Sequence, residues 1–517
     1  MIYNDELKCI HKNLLSWYGL SGECFYVGGN SGQDSTTDSD STSGSNSTFP
    51  EKEYDNIIIV PDESMDIISM VSGAVSHLKE DGRLIVAADN KFALKYFSGV
   101  ANESSGKYFG SITSKDSSTV SLKDISDLEA LGLYVEEKYY PYPDFRLPRS
   151  IYRSDFVNEM KINPAVFTPA YDKDRYVLFD EESAMRELIK EGIWENFVNS
   201  YLLVLKKYSA SIPDKKAEPD GMLYARFNTE RAPQYRVDTF IKRKDGKLYV
   251  EKRADSEEAV AHLEKINENY KLLTGLYHFI KPVPCDAAEN GVLSFEYVEG
   301  KTLDRKLYES IIYIQTHGDS INDRPEADDQ TWRRDQTARI LAEFEKTLNI
   351  VFDYNPEALT PDGIPGLANV DCILSNFIED NEGTVWLIDY EWIYEKNVNP
   401  EYLKYRTCFY FYQDHPDIEA ELPFKVLMEH FGIDEKKCGK FAEMEDKFQQ
   451  KVYGENWKYQ ITRNYAKKNI SFEGLEEDFR LKENHIKNLE ESNARLRRAL
   501  KNPVAGVSEF LHKKFST

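Results

Sequence analysis

Two hydrophobic rhythms run along this chain. Near the start, Glu23–Gly29 (ECFYVGG) reads as a short strand ending in glycines, and 31–47 is almost wholly Ser, Thr, Asp, Asn and Gly. That stretch cannot bury enough apolar surface to offset its ordering entropy, so it reads as a flexible tether. Next, Asn56–Val60 reads as a strand, Ile67, Ile68, Val71, Val75 and Leu78 fall at helical spacing, and Arg83–Ala88 follows the Asp81-Gly82 turn as a second strand. The β–α–β order predicts a parallel sheet flanked by helices. A helix is expected around Glu182–Glu191. Beyond it, Tyr201–Lys206, Met222–Phe227, Arg236–Lys242 and Lys247–Arg253 predict a twisted antiparallel sheet.

A helix over Ser256–Leu273 follows, with Ser256 at its N-cap, Glu257 and Glu258 in its first turn, and an apolar stripe from Val260 to Leu273. Val292–Tyr297 reads as a strand, Asp319–Asp329 as a charged loop, Thr337–Ile350 as an amphipathic helix, and another helix begins after Pro400. From Leu475 onward, Leu475, Phe479, Ile486, Leu489, Leu496 and Leu500 fall at heptad positions, with Lys482 and Asn493 inside the seam and Pro503 beyond it. This pattern predicts a short coiled coil or a single helix packed on the body.

The 517 residues leave room for two to four domains. With 89 acidic against 65 basic residues the net charge is −24, which excludes non-specific nucleic-acid binding. Mean hydropathy is −0.58 and no apolar run approaches the ~20 residues of a membrane span. Met1–Glu6 lacks the basic start of a secretory signal, and the six cysteines are scattered without CxxC pairing. A cytoplasmic protein without zinc sites or disulfides is therefore expected. Basic residues gather locally at Arg226, Arg231, Arg236, Lys242, Arg243 and Lys244.

The candidate chemistry centres on Gly366–Trp392, GLANVDCILSNFIEDNEGTVWLIDYEW. Apolar runs Ile373–Ile378 and Val385–Ile388 predict a hairpin turning at Asp380–Gly383, with Asp371, Asn376 and Asp389 at one end. An Asp followed five residues later by an Asn, then an Asp on the next strand, is the spacing of kinase catalytic loops. Lys252 in KLYVEKR shares a strand face with Leu248 and Val250, where a cation needs a partner.

The stretch ending in IDYEW resembles the catalytic segment of the aminoglycoside and choline kinase superfamily. That resemblance implies ATP and Mg²⁺ as cofactors, Asp371 as base, and Asn376 and Asp389 as metal ligands. It further implies Lys252 as the phosphate-holding cation, Glu268 as its partner (Glu264 being the alternative), and Tyr297 and Val298 of EYVEGKTLD beside the adenine. Asn369 stands where a His is usual, Glu391 where protein kinases have Gly, and no G-x-G-x-x-G is present. Arg406 is a candidate to meet a carboxylate of the hairpin, or a plain surface residue.

The segment LKEDGRLIVAADNKFALKYFSG and Tyr139–Pro148 (YYPYPDFRLP) resemble part of a class I S-adenosylmethionine-dependent methyltransferase, of the variety found in bacterial surface-polysaccharide proteins. Gly28-Gly29-Asn30-Ser31-Gly32 is a poor version of that family's cofactor turn, so S-adenosylmethionine is not expected to bind.

The expected fold is therefore α/β plus α+β. It comprises a remnant (1–30), a linker (31–50), a truncated Rossmann-like methyltransferase half-fold (51–165), a two-lobed protein-kinase-like domain (180–465) and a C-terminal helix (470–502). The resemblances imply a phosphotransferase acting on a hydroxyl of a glycan or glycan precursor in cell-surface polysaccharide synthesis. Glycosyltransferases of that pathway would be partners, and the C-terminal helix could join copies. The alternatives are a non-catalytic scaffold and a methyltransferase.

Overall fold

A computed structural model describes residues 13–28, 43–44, 49–61, 65–102, 106–113, 118–146, 148–160, 176–208, 220–286, 290–317, 329–395, 398–455 and 470–501. Within these the chain is mixed α/β, with one large sheet and many helices.

The large sheet has twelve strands. Ten of them, in chain order, are β1 (Cys24–Gly28), β2 (Tyr54–Val60), β3 (Leu78–Asn90), β4 (Leu133–Tyr142), β5 (Ser150–Arg153), β6 (Ser200–Lys207), β7 (Gly221–Arg226), β8 (Val237–Lys244), β9 (Lys247–Ala254) and β10 (Val292–Glu296). Across the sheet they lie in the order β10-β9-β8-β7-β5-β4-β6-β3-β2-β1. Strands β1, β2 and β3 pair parallel, whereas every pairing from β3 to β10 is antiparallel. The parallel end is apolar on both faces: Ile57, Ile58 and Ile59 of β2 are all buried. Helix α1 (Ile67–Val75) covers it with Ile67, Met70, Val71 and Ala74, and Asp66 caps it by accepting from Ser69 N.

Two expectations are corrected here, and a third is refined. Tyr201–Lys206 joins the antiparallel part of the sheet as expected, but β6 lies between β3 and β4 and is not a neighbour of Met222–Phe227. Its run Tyr201–Leu205 is buried throughout, which demands a central position covered on both faces, and a strand of that kind reads as a continuous apolar run. The tether falls mostly outside the described residues, but Ser43–Gly44 is a strand pairing parallel with Tyr26–Val27. The strand expected from Ile373 begins only at Phe377, because Leu374–Asn376 form a 3-10 turn. The segment before Asn13, Asn30–Gly32, most of the 319–329 loop and Pro503 lie outside the described residues.

The motif Tyr139–Pro148 contributes charge to the end of β3. Lys95 Nζ donates to Asp89 Oδ1 (2.9 Å) and Asp144 Oδ2 (3.1 Å), and an Arg146 guanidinium nitrogen donates to Asp89 Oδ2 (2.7 Å). Gly28 serves strand packing: a Cβ there would overlap the carbonyl of Val60 on β2.

The second half forms the largest apolar core, built on α2 (Glu257–Leu273), α3 (Leu303–His317), α4 (Asp329–Val351), α5 (Pro400–Asp414) and α6 (Glu435–Tyr453). Ser256 is the N-cap residue of α2 by backbone geometry, although its side chain makes no capping bond. Against this core lies the hairpin β11 (Phe377–Glu379) and β12 (Val385–Leu387), antiparallel as expected. Asp380 closes its turn by accepting from Glu382 N and Thr384 N, with Gly383 at φ 83°. Lys281–Pro282 and Lys301–Thr302 flank the hairpin on either side. The last described element, α7 (Phe472–Lys501), follows Ile470–Ser471, which pair with Tyr176–Val177.

Gly300 allows the segment after β10 to press onto the hairpin: a Cβ would overlap the Glu379 carbonyl and lie 2.7 Å from Ile378 Cγ2. Gly300→Ala is expected to destabilise the fold by about 1–3 kcal/mol, measured by urea unfolding.

Candidate functional site

The site begins with a lysine that the alternation of β9 turns inward. Lys252 is only 5 % exposed, and its Nζ donates to Asp389 Oδ1 (2.8 Å) and Glu391 Oε1 (2.7 Å). Both carboxylates follow β12, two residues apart, and the intervening Tyr390 is anchored by its hydroxyl to the Val283 carbonyl. Glu391 is held from two further directions, by the Arg231 guanidinium and by His262 Nε2 at 3.4 Å. Burial pushes Glu391 up, but Arg231, Lys252 and His262 outweigh it and hold this carboxyl well below the usual range. Burial likewise disfavours the Lys252 ammonium, and Asp389 and Glu391 overcome that and raise it.

Asp371 sits on the loop before the hairpin, locked on every side. Its N–H donates to Asn369 Oδ1 (2.9 Å), and its Oδ2 accepts from Trp392 N (2.7 Å). The Asn369 amide in turn donates to the Tyr277 hydroxyl, so this residue does local work where the superfamily pattern has His. Helix α5 grips the loop from behind: Arg406 Nε donates to the Val370 carbonyl (2.7 Å) and Thr407 Oγ1 to the Cys372 carbonyl (2.6 Å). Asn376 donates its amide to the Asp371 carbonyl (3.0 Å), which leaves its Oδ1 as the atom to offer a cation. Burial first, then Asp389 and Glu391, push the Asp371 carboxyl up to about 7. Burial and Glu391 also raise Asp389, against the pull of Lys252.

Of the residues singled out in the sequence, Asp371, Asn376, Asp389 and Lys252 are brought to one place. Glu268 is not. It lies on the exposed face of α2, paired with Lys265 at 3.0 Å, and Glu264 is exposed as well. The buried face of α2 carries His262 and Asn269 instead, seven residues apart and so on one side of the helix. Asn269 donates to the carbonyls of Tyr390 and Glu391, and Lys252 takes Glu391 as the partner expected from Glu268. The sequence carries the signal for them: two polar residues at helical spacing within an apolar stripe.

Tyr297 and Val298 are half-buried just after β10, the strand paired with β9, and Val298 packs on the main core. Burial, then Glu299, raises the Tyr297 hydroxyl. Arg406 is buried and meets Glu445 of α6 rather than a carboxylate of the hairpin. Among the clustered basic residues Arg231 reaches the site, whereas Arg243 pairs with Asp155 and Lys242 with Glu251.

Asp371, Asn376 and Asp389 offer only oxygen donors, the set that suits a hard divalent cation. Asp389 Oδ1 is taken by Lys252, and its side chain is 35 % exposed. Burial raises both aspartates first and neighbouring carboxylates add to it, and that added repulsion is what a cation would relieve. No group of three or more His, Cys, Asp or Glu arranged to hold a metal ion occurs among the described residues; here the third donor is an amide.

No protein-family model and no curated protein matches the chain. Solved structures similar to part of it include choline kinase LicA from Streptococcus pneumoniae, at 15 % identity over 44 % of this chain and 90 % of that one, with a TM-score of 0.19. Another is the macrolide 2'-phosphotransferase MphH from Brachybacterium faecium, apoenzyme, at 12 % identity over 44 % and 83 %, with a TM-score of 0.22. Among the described residues no helix is long and apolar enough to cross a membrane.

Two outcomes follow from the charges. Because folding raises Asp371 to about 7 from an unfolded value of ~3.9, its contribution is fully present below pH ~4 and lost as pH rises through 7. With chelator present, Asp371→Asn should therefore raise the melting temperature at pH 8 and change it little at pH 4. Removing Glu391 strands Arg231 and leaves Lys252 with Asp389 alone, so Glu391→Ala should cost ~3–5 kcal/mol in urea unfolding, against under ~0.5 for Glu268→Ala.

Proposed function

We propose that this chain is a phosphotransferase moving the γ-phosphoryl group of ATP onto a hydroxyl of a glycan or glycan precursor. The observation that carries the reading is the bond from Lys252 to Asp389, which joins an inward strand lysine to a carboxylate 137 residues later, beside Asp371 and Asn376. The acceptor oxygen would attack the γ-phosphorus as the bond to the β-phosphate oxygen breaks, and Asp371 Oδ1 would take the hydroxyl proton. A carboxyl lifted to about 7 suits a base working near neutrality. Lys252 would hold the α- and β-phosphates, kept in place by Glu391 when Asp389 turns to other work. Asn376 and Asp389 would hold Mg²⁺, whose chemistry when bound is to neutralise phosphate charge. Tyr297 and Val298 would flank the adenine.

The glycan acceptor is supported by the two sequence resemblances occurring in the order found in bacterial polysaccharide proteins. On this reading residues 51–165, with β6 added by its pairing, form the methyltransferase-like part, and the later residues to 465 the phosphotransferase. Gly28, required for the close approach of β1 to β2, argues against a cofactor turn there. One observation favours a non-catalytic scaffold: Lys252 is already satisfied by two carboxylates. Full polymer synthesis by an Asp389→Ala variant would establish that alternative.

The test is ATP binding and turnover. Mg²⁺-dependent stabilisation by ATP should reach about 2.7 kcal/mol at a hundredfold excess over Kd and vanish in Lys252→Ala. With labelled ATP and candidate lipid-linked glycans, Asp371→Ala should lose ~10²–10⁴ in rate. Absence of any Mg²⁺-dependent nucleotide binding would sink the proposal.

A further inference from the structure

Helix α7 carries large apolar side chains that none of the described cores covers. Phe479, Ile486, Leu489 and Leu496 are 50–59 % exposed, and none of them joins a hydrophobic core. These four lie along one line of the helix, with Leu481, 54 % exposed, off it at heptad position c. With Phe479 and Ile486 at heptad position a, Leu489 and Leu496 fall at d, the spacing of a seam that another helix covers. Thirty residues make a rod about 45 Å long, whose base is tied to the body where Ile470–Ser471 pair with Tyr176–Val177.

We propose that this seam is covered by α7 of a second copy of the chain, running antiparallel. The polar positions of the seam decide the direction. Lys482 occupies d and Asn493 occupies a, and both are exposed. In a parallel pair each layer meets its own copy, so Lys482 would face Lys482 and bury two like charges, a costly arrangement. In an antiparallel pair a packs on d, and aligning Ile486 with the partner's Leu489 sets the whole register. Phe479 then meets the partner's Leu496, and Lys482 meets the partner's Asn493, whose amide oxygen can accept from the ammonium. By sequence count, positions 475 and 500 fall in one layer as well. Every apolar layer faces an apolar one, and the two polar residues find each other.

The flanks are mixed: Glu476 faces the partner's Arg497, while Glu483 faces the partner's Glu490 and opposes the pairing. The arrangement also sends the two bodies to opposite ends of the rod, where they do not compete for space. It stands independently of the phosphotransferase reading.

The test is the mass of the full-length protein by sedimentation velocity across a dilution series. The expected result is a dimer in equilibrium with monomer. Ile486→Asp with Leu489→Asp should give monomer at every concentration without lowering the melting temperature of the body, since neither side chain packs in a core. Direction is read from Asn493→Asp. Antiparallel pairing sets the new carboxylate against the partner's Lys482 twice, so dissociation should weaken roughly threefold or more at low salt. Parallel pairing would set Asp against Asp and loosen the dimer. A wild-type protein that stays monomeric or forms a trimer, or an Asn493→Asp variant that dissociates more readily, overturns the proposal.

Discussion

A buried ammonium between two carboxylates is the constraint on which the rest of the site depends. Lys252 belongs to the antiparallel part of the large sheet, while Asp389 and Glu391 belong to the segment leaving the hairpin. Such a bridge adds little net stability compared with apolar side chains of similar shape, but its disruption is expensive, so it fixes geometry more than it adds strength. Its charge is also unbalanced. Asp371, Asp389 and Glu391 are three carboxylates, and Lys252 and Arg231 are the two cations bonded among them. Burial first, and then the two neighbouring carboxylates, raise Asp371, the one of the three to which neither cation is bonded.

Behind that bridge a second layer of buried polar contacts keeps the loop still. Glu445 on α6 gathers Arg406, Tyr402, Tyr410 and Gln449, and Arg406 passes this order on to the Val370 carbonyl. Thr407, the next residue along α5, holds the Cys372 carbonyl. Asp371 thus hangs between two fixed carbonyls, and its backbone has little freedom to drift. Supporting shells of this kind keep reactive groups within the small tolerances that chemistry demands.

Much of this was legible in the sequence, for reasons that differ by residue. The hairpin announced itself through two apolar runs around a polar turn, and Lys252 through its place among apolar neighbours. Helices α2 and α7 followed their periodicity, and α5 the proline that opens it. The family spacing points to Glu268, but that position lies on the exposed face of α2; the stripe through Leu263, Ile266 and Leu273 sets His262 and Asn269 inward. The place of β6 was hidden for another reason. A continuous apolar run says that a strand is central, but not which neighbours it takes, and the partners of β6 lie in sequence well before it. Arg231 was visible only as one of six basic residues, since its partner is 160 residues away.

The large sheet has one more implication. Ser150–Arg153 is the suture: on one side it bonds to β4, on the other to β7, with Tyr152 aligned to Tyr140 and Tyr224. Hydrogen bonds therefore run without a break from the parallel end to the strand carrying Lys252. A chain cut anywhere between would bare two raw strand margins, each primed to recruit foreign backbone. Whatever ancestry the two ends have, they have become a single mechanical object, able to twist together but not to swing apart.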